Sequence, residues 1–212
     1  MTPSRLTELA QLEYSLYHHK QSHPGKFVVI EGPDGVGKST VCSLLPRHFI
    51  KTRQPTNSHN LGQWIRHWLN GSIVPVTPMM FAGDRAHHLR TVILPTLWLG
   101  QTVVCDRYTL SSIVYQSFNS DGSFNEERAL ETRRLNEIFY QPDLTVILTC
   151  DIEVCMKRIT ARSTERQAME TLPFQRSVHT AYSSHKQTDK TIVFDTHKHT
   201  PEQIVRGVME RL

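Results

Sequence analysis

The stretch Gly32-Pro-Asp-Gly-Val-Gly-Lys-Ser39 matches the phosphate-binding pattern G-x-x-x-x-G-K-[ST] at every fixed position. Its glycines let backbone N–H groups turn toward a phosphate, its lysine reaches the β- and γ-phosphates, and its serine hydroxyl suits Mg²⁺. Lys26-Phe-Val-Val-Ile30, immediately upstream, has the composition of a buried strand, and residues 39–49 are predicted to form a helix. A strand that enters a helix through this loop indicates that the chain binds a nucleoside triphosphate.

Apolar segments alternate with helical stretches along the rest of the chain. The predicted strands are 26–31, 50–54, 102–105, 143–150 and 191–195, and the predicted helices are 39–49, several across 61–99, 109–117, 126–139, one from 152 and one from 201. This alternation implies an α/β fold, a three-layer sandwich of the P-loop NTPase type with a mostly parallel five-stranded sheet. Ligands of such a sheet bind at the carboxyl ends of its strands.

Composition and charge narrow the class of protein. The 212 residues suffice for one domain with a substantial core, and the formal charge of +4 comes from scattered Lys and Arg residues. Scattered charge favours small anionic substrates over nucleic acid. No apolar segment is long enough to span a membrane, and the first 25 residues lack the apolar core of a signal peptide. The four cysteines do not have the paired spacing of a zinc site. We therefore expect a cytoplasmic protein with reduced thiols and no membrane partner.

A carboxylate and a guanidinium follow the third predicted strand directly, in Asp106-Arg107-Tyr108. Because this is a carboxyl end, both side chains should lie beside the bound phosphates. Asp106 is predicted to hold Mg²⁺, directly or through water, together with Ser39, and Arg107 is predicted to bind a phosphoryl oxygen. A structural ion pair is the alternative interpretation of the two residues. The chain lacks the D-x-x-G and N-K-x-D patterns of a GTPase in suitable places.

A second pocket is indicated for a planar group that carries a phosphate. Phe81 and Arg85 lie four residues apart on one predicted helix face, where a ring can stack on a base and a guanidinium can donate to a base carbonyl. Phe81 alone would equally suit a core. Three further side chains share the face of the next helix: Ser112, Tyr115 and Gln116. Arg53, at the end of the second strand, could bind a phosphate or be a solvated surface arginine.

These segments resemble the thymidylate kinases of the nucleoside monophosphate kinase group. The resemblance covers nearly all of residues 26–212. Its motifs are Glu31–Thr40, Thr52-Arg-Gln-Pro55, Phe81-Ala-Gly-Asp-Arg85, Cys105–Gln116, and Pro142-Asp-Leu-Thr145 followed by Arg158. The family transfers the γ-phosphoryl group of ATP to dTMP with Mg²⁺, so the resemblance implies ATP and dTMP as substrates and dTDP as product. It also implies a homodimer.

The resemblance assigns a role to each matching position. The ATP-binding residues would be Gly32, Pro33, Asp34, Gly35, Val36, Gly37, Lys38, Ser39 and Thr40. On the acceptor side, Phe81 would stack on the base, Arg85 would bind the thymine carbonyl, and Ser112 and Gln116 would contact the base. Arg53 and Arg107 would clamp the acceptor phosphate. Tyr115 would exclude a ribose 2′-hydroxyl, and Asp34 would contact the sugar or the phosphate. Ser39 and Asp106 would hold the metal.

A short lid is predicted at about residues 158–172, where Arg158, Arg162 and Arg166 recur along one helical stripe. A solvated basic face is the alternative. The resemblance implies a catalytic arginine either in the phosphate-binding loop or in the lid, and positions 33–36 hold no arginine. It therefore favours Arg162 and Arg166 as the residues that close over the ATP phosphates and that are catalytic together with Lys38 and Arg107, whereas Arg158 is placed nearer the hinge. Residues 1–24 are predicted to be a helical N-terminal extension of a kinase domain at 25–212.

Some positions depart from the family pattern. Gln54 stands where the family usually has Glu, and Thr56-Asn57 stand where a Gly pair is common. Two other functions therefore stay open: a kinase for another nucleotide or deoxynucleoside acceptor, and a non-catalytic nucleotide-binding module. Asp106-Arg107-Tyr108 argues against a deoxynucleoside kinase, which would more often carry Glu-Arg-Ser there. The intact Lys38 and Ser39 argue against the non-catalytic module.

Overall fold

Five parallel strands form one sheet in a computed structural model that describes residues 23–57, 60–69, 77–119, 121–162 and 171–212. The strands are β1 (Phe27–Glu31), β2 (Ile50–Arg53), β3 (Val103–Asp106), β4 (Leu144–Thr149) and β5 (Thr191–Asp195). Their order is β2-β3-β1-β4-β5, and each neighbouring pair is parallel. The predicted α/β fold with a five-stranded sheet is therefore confirmed.

Helices connect the strands and cover both faces of the sheet. They are α1 (Lys38–Leu44), α2 (Asn60–Leu69), α3 (Pro78–His88), α4 (Leu94–Trp98), α5 (Thr109–Gln116), α6 (Glu126–Glu137), α7 (Ile152–Arg162), α8 (Leu172–Ser183) and α9 (Pro201–Met209). A π-helical turn, Leu89–Ile93, joins α3 to α4. No helix within the described ranges is both long enough and apolar enough to cross a membrane.

The central strand β1 is buried on both faces, as expected for a parallel sheet with helices on each side. Side chains alternate along a strand, so Val28 and Ile30 pack with α1 and α9. Phe27 and Val29 point to the opposite layer, which contains α3, α4 and Phe139. Because β1 is central, the loop that follows it opens at the middle of the sheet's carboxyl edge.

The bounds of several predicted elements differ by one or two residues, one predicted helix is much shorter, and one helix was missed. The helix predicted at 39–49 ends at Leu44, because Pro46 disfavours a helical conformation at Leu45, whose ψ is 156°. The third strand extends to Asp106 instead of ending at residue 105. Helix α8 was not anticipated from the sequence. Most of the predicted N-terminal extension (residues 1–22) and of the lid (163–170) lies outside the described residues.

Candidate active site

The loop after β1 encloses one end of a cavity of about 590 Å³. The cavity is lined by the loop and the first turns of α1, by the ends of β2 and β3, and by α7 and the start of α9. Gly35 has a φ of 75°, and a Cβ there would lie 2.5 Å from the Cys155 carbonyl oxygen. Only glycine fits both the left-handed backbone and this close approach to α7.

Lys38 lies under the loop, with 7% of its surface exposed. Its ammonium donates to the carbonyl oxygens of Gly32, at 3.0 Å, and Pro33, at 2.7 Å. Burial, together with the nearby Arg107 cation, lowers the pKa of Lys38 from 10.5 to about 8. Lys38 is thus largely charged at pH 7, about one pH unit below its pKa. A bound phosphate would stabilise the charged form.

Asp106 and Ser39 meet at the edge of the same cavity. The Ser39 hydroxyl donates to Asp106 Oδ2 at 3.0 Å. The other oxygen, Oδ1, is buried and has no hydrogen-bond partner among the described residues. A buried carboxylate oxygen without a partner is costly unless a cation or a water satisfies it. This hard oxygen pair fits Mg²⁺.

Arg107 joins the phosphate-binding loop to the following helix. Its Nη2 forms an ion pair with Asp34 Oδ1 at 2.5 Å and donates to the Tyr115 hydroxyl at 3.3 Å. The Tyr115 hydroxyl in turn donates to Asp34 Oδ2 at 2.9 Å. Burial raises the pKa of Tyr115 well above its usual value, although the Arg107 cation opposes the shift, so the phenol stays protonated. The structure brings these three predicted site residues together.

The backbone at Arg107 is left-handed, with a φ of 72°, a strained conformation for a residue with a side chain. Glu31, fully buried at the end of β1, supports this turn. Its Oε1 accepts from the backbone N–H groups of Tyr108, at 2.8 Å, and Ser111, at 3.1 Å, and its Oε2 accepts from the Tyr182 hydroxyl at 3.0 Å. The sequence motif included Glu31 but gave no sign that Tyr182, on α8, would reach it.

Arg85 is almost fully buried, with 1% exposure. Its Nε donates to Gln54 Oε1 at 3.0 Å, Nη1 donates to Asn136 Oδ1 at 2.5 Å, and Nη2 donates to the Tyr108 carbonyl at 3.1 Å and to Ser112 Oγ at 2.7 Å. These acceptors are all neutral and use four of the five N–H groups of a guanidinium. Arg85 and Ser112, each predicted as an acceptor-side residue, therefore lie in one polar cluster, which also contains Asn136, a residue that the sequence analysis did not predict.

The other predicted acceptor-side residues lie at the same edge of the sheet or on the helices above it. Gln116 is buried, and its Oε1 has no partner in the described part of the chain. Phe81 is half-buried on α3. Arg53 is exposed at the end of β2, in register with Asp106, and lines the cavity. A buried amide oxygen left without a partner is a place where a ligand N–H would bind.

Arg158 was placed near the lid hinge by the sequence analysis, but the structure has it lining the cavity. Its Nη1 donates to the Gly35 carbonyl at 3.2 Å. His199 also lines the cavity, whereas His197 is exposed. Arg162 ends helix α7, and Arg166 lies outside the described residues. The i, i+4 spacing of the arginines was the only sequence signal that linked Arg158 to the phosphates.

Comparison with known proteins agrees with this geometry. The sequence profile of the thymidylate kinase family matches residues 30–208. The thymidylate kinase of Leifsonia xyli subsp. xyli is 35% identical over 174 residues, covering 76% of this chain and 81% of that protein. The thymidylate kinase of Thermomicrobium roseum is 34% identical over 175 residues, covering 77% and 82%.

The fold also matches a solved structure. The thymidylate kinase of Candida albicans superposes with a TM-score of 0.68 at 23% identity, over 88% of this chain and 90% of that one. The family profile covers most of the chain and includes the phosphate-binding loop, Asp106-Arg107 and the Arg85 pocket. The chain belongs to the thymidylate kinase family.

Proposed function

We propose that the protein transfers the γ-phosphoryl group of ATP to dTMP, giving ADP and dTDP. The observation that carries the proposal is a cluster of buried polar side chains on α3 and α5, next to the Arg107 turn that pairs with the phosphate-binding loop. In that cluster Arg85 and Ser112 form a hydrogen bond, and Gln116, one turn further along α5, presents an amide oxygen that has no partner among the described residues. A thymine ring offers the carbonyl oxygens and the N–H group that such side chains recognise.

The cavity lined by residues 34–41 is the proposed ATP site. Lys38 would leave the loop carbonyls and bind the β- and γ-phosphates. Arg107 would bind the acceptor phosphate and, with Arg53, hold it in line with the γ-phosphate. Arg158 already lies in the cavity, and Arg162 and Arg166 are proposed to close over the ATP phosphates from the lid. Positioning and concentrated positive charge supply most of the catalysis of phosphoryl transfer.

The acceptor would lie between α3 and α5. Phe81 would stack on the base, while Arg85, Ser112 and Gln116 bind its polar edge. Tyr115 is held by its bond to Asp34, so its ring has a fixed position beside the sugar site. A ring fixed there would clash with a ribose 2′-hydroxyl.

Mg²⁺ is proposed to be held by Asp106 and the Ser39 hydroxyl, with the orphaned Asp106 Oδ1 as the observation in support. When bound, the ion neutralises charge on the phosphate oxygens. The role of this chain's residues is to fix the carboxylate at the strand end and to keep its second oxygen free of other partners.

The cytoplasm is the proposed compartment, and a homodimer the proposed assembly. All four cysteines are free thiols, which suits a reducing compartment. Trp64 on α2 and Met79 at the start of α3 are 58% and 65% exposed, and large apolar side chains of this kind are common at subunit contacts. Light scattering at micromolar concentration should therefore give twice the mass of one chain.

An assay of ADP release tests the function. With Mg-ATP and separate dTMP, dUMP, dCMP, dGMP, UMP and thymidine, turnover should be highest with dTMP, and Lys38→Ala should abolish it. Preference for another acceptor would overturn the base-site assignment but keep the phosphate chemistry. ATP binding without turnover would instead point to a non-catalytic module, and full activity of Lys38→Ala would contradict the role of the loop.

A further inference from the structure

His88 lies at the centre of a buried chain of side chains that no assigned role explains. It is 1% exposed and sits on α3, one turn beyond Arg85. Its Nε2 is 2.7 Å from Thr52 Oγ1 and its Nδ1 is 3.1 Å from Gln54 Nε2. Gln54 Oε1 then accepts from Arg85 Nε at 3.0 Å. Thr52, His88, Gln54 and Arg85 thus form a continuous path from the second strand to the base pocket.

The direction of each bond follows from Arg85. A guanidinium N–H can only donate, so the Gln54 oxygen must face Arg85 and the Gln54 amide nitrogen must face His88. The Gln54 N–H is also only a donor, so His88 Nδ1 must be the acceptor. The proton of a neutral imidazole is then on Nε2, from which it is donated to Thr52 Oγ1. The orientation of the Gln54 amide therefore determines the tautomer of the His88 imidazole, and the reverse also holds.

We propose that His88 is a positioning residue for the acceptor base, acting through Gln54 on Arg85. By accepting the Gln54 N–H, His88 holds the amide with its oxygen toward Arg85, and this sets the guanidinium at the angle from which it donates to Ser112. Without an acceptor at Nδ1, the amide could turn and present its own N–H to Arg85 Nε, where two donors would oppose each other.

The inference depends on Gln54, which departs from the usual glutamate of the family. A glutamate has no N–H to donate to His88 Nδ1 and would bring a second charge to Arg85. In this chain the buried guanidinium has instead neutral hydrogen-bond acceptors in Gln54, Asn136, Tyr108 and Ser112. Directional hydrogen bonds then set the orientation of the Arg85 guanidinium. His88, which orients Gln54, therefore contributes to recognition of the acceptor.

Two substitutions of His88 separate its contact with Gln54 from its contact with Thr52. The Asn side-chain oxygen can occupy the position of Nδ1, so His88→Asn keeps the acceptor for Gln54. The Gln amide reaches the position of Nε2, so His88→Gln keeps the contact with Thr52 and loses the acceptor. We expect His88→Gln to raise the KM for dTMP about tenfold, the effect of losing one buried hydrogen bond, while the KM for ATP is unchanged. His88→Asn should stay within about threefold of the wild type.

Gln54→Met tests whether His88 acts on Arg85 through Gln54. If His88→Gln fails to fold, Gln54→Met takes its place in the test. It should raise the KM for dTMP by a similar factor, and adding His88→Gln to it should change the KM less than about twofold further. Equal effects of His88→Asn and His88→Gln, a parallel rise in the KM for ATP, or additive effects with Gln54→Met would overturn the proposal.

The inference rests on the proposed acceptor site, but its failure can be told apart from failure of the proposed function. Wild-type turnover with dTMP decides the function. If the wild type prefers another nucleoside monophosphate, the same KM comparison with that acceptor still decides whether His88 acts through Gln54 on Arg85.

Discussion

Lys38 combines burial with a charge that the proposed mechanism needs. In the free protein its ammonium is bound by two loop carbonyls, and burial beside Arg107 lowers its pKa to about 8. A lowered lysine pKa means that the charged form is present below pH 8 and lost above it. The two carbonyls offset part of the cost of burying the charge, and negatively charged phosphate oxygens would offset more of it.

The affinity for ADP should therefore fall as the pH rises through 8. Between pH 7 and pH 9 we expect Kd to increase about tenfold, because roughly one lysine in ten keeps its proton one unit above its pKa. Calorimetric titration with Mg-ADP in buffers of equal ionic strength measures this. Lys38→Met should bind Mg-ADP weakly at both pH values, with no increase in Kd between them. A wild-type Kd that does not change between pH 7 and pH 9 would contradict the role of Lys38 in phosphate binding.

Tyr115 is the residue on which discrimination against a 2′-hydroxyl is predicted to depend. Its ring is fixed by the bond from its hydroxyl to Asp34 and by the Arg107 guanidinium, which lies 4.8 Å from the ring centroid. A side chain held from two sides cannot move away from an added substrate oxygen.

Tyr115→Ala should lower the ratio of kcat/KM for dUMP to that for UMP by about tenfold or more, since it removes the ring. Tyr115→Phe keeps the ring and should preserve most of the ratio. The two acceptors differ only at the 2′ position, so the paired measurement isolates that contact. An unchanged ratio in Tyr115→Ala would show that another residue excludes the hydroxyl.

At the scale of elements, the phosphate-binding loop depends on its close contact with α7. Gly35 has a left-handed backbone, and its Cα faces the carbonyl of Cys155. Gly83, on the exposed side of α3, is a matched comparison, since a Cβ there would meet only the Leu61 side chain at 3.4 Å.

Gly35→Ala should therefore raise the KM for ATP at least tenfold and lower the thermal midpoint, because both the backbone angle and the contact with α7 must change. Gly83→Ala should leave the kinetics unchanged and stabilise the protein by about 0.5–1 kcal/mol, as alanine is the better helix former. Steady-state kinetics, thermal unfolding and urea unfolding of the two variants make the comparison. Equal kinetics of Gly35→Ala and the wild type would exclude a strict need for glycine in the loop.

At the scale of the whole molecule, Glu31 joins three elements that are distant in sequence. It ends β1, receives the N–H groups at the start of α5, and accepts from the Tyr182 hydroxyl on α8. The same hydroxyl lies 2.9 Å from Ser111 Oγ. The turn that carries Arg107 is thus held from below by a buried carboxylate and from the side by α8.

Tyr182→Phe should reduce the free energy of unfolding by about 1–3 kcal/mol, since it removes a buried hydrogen bond to a carboxylate. Tyr140→Phe removes a hydroxyl that bonds His23 in a half-buried position and should cost less than about 1 kcal/mol. Urea unfolding followed by fluorescence measures both. Equal decreases in the free energy of unfolding of the two variants would mean that the hydrogen bond from Tyr182 to Glu31 stabilises the protein no more than an ordinary half-buried one.

The sequence by itself determined the α/β class, the phosphate-binding loop and the approximate position of the five strands, because each is written in a short run of neighbouring residues. It also predicted that Asp106 and Arg107 lie beside the phosphate-binding loop, and both line its cavity, since strand ends in a parallel sheet share one edge. Asp34, Arg107 and Tyr115, predicted on separate grounds, do meet.

Only the tertiary structure decided the partners of the buried charges. Arg85 reaches Asn136 and Glu31 reaches Tyr182, and in each case the two residues lie far apart in the sequence. The exposed Arg158 likewise bonds to the distant Gly35. Local periodicity predicts which face of a helix a residue lies on, but it cannot predict what packs against that face. A buried charge is satisfied by whichever polar atoms the packed elements bring within about 3 Å, so its partners are settled only when the chain has folded.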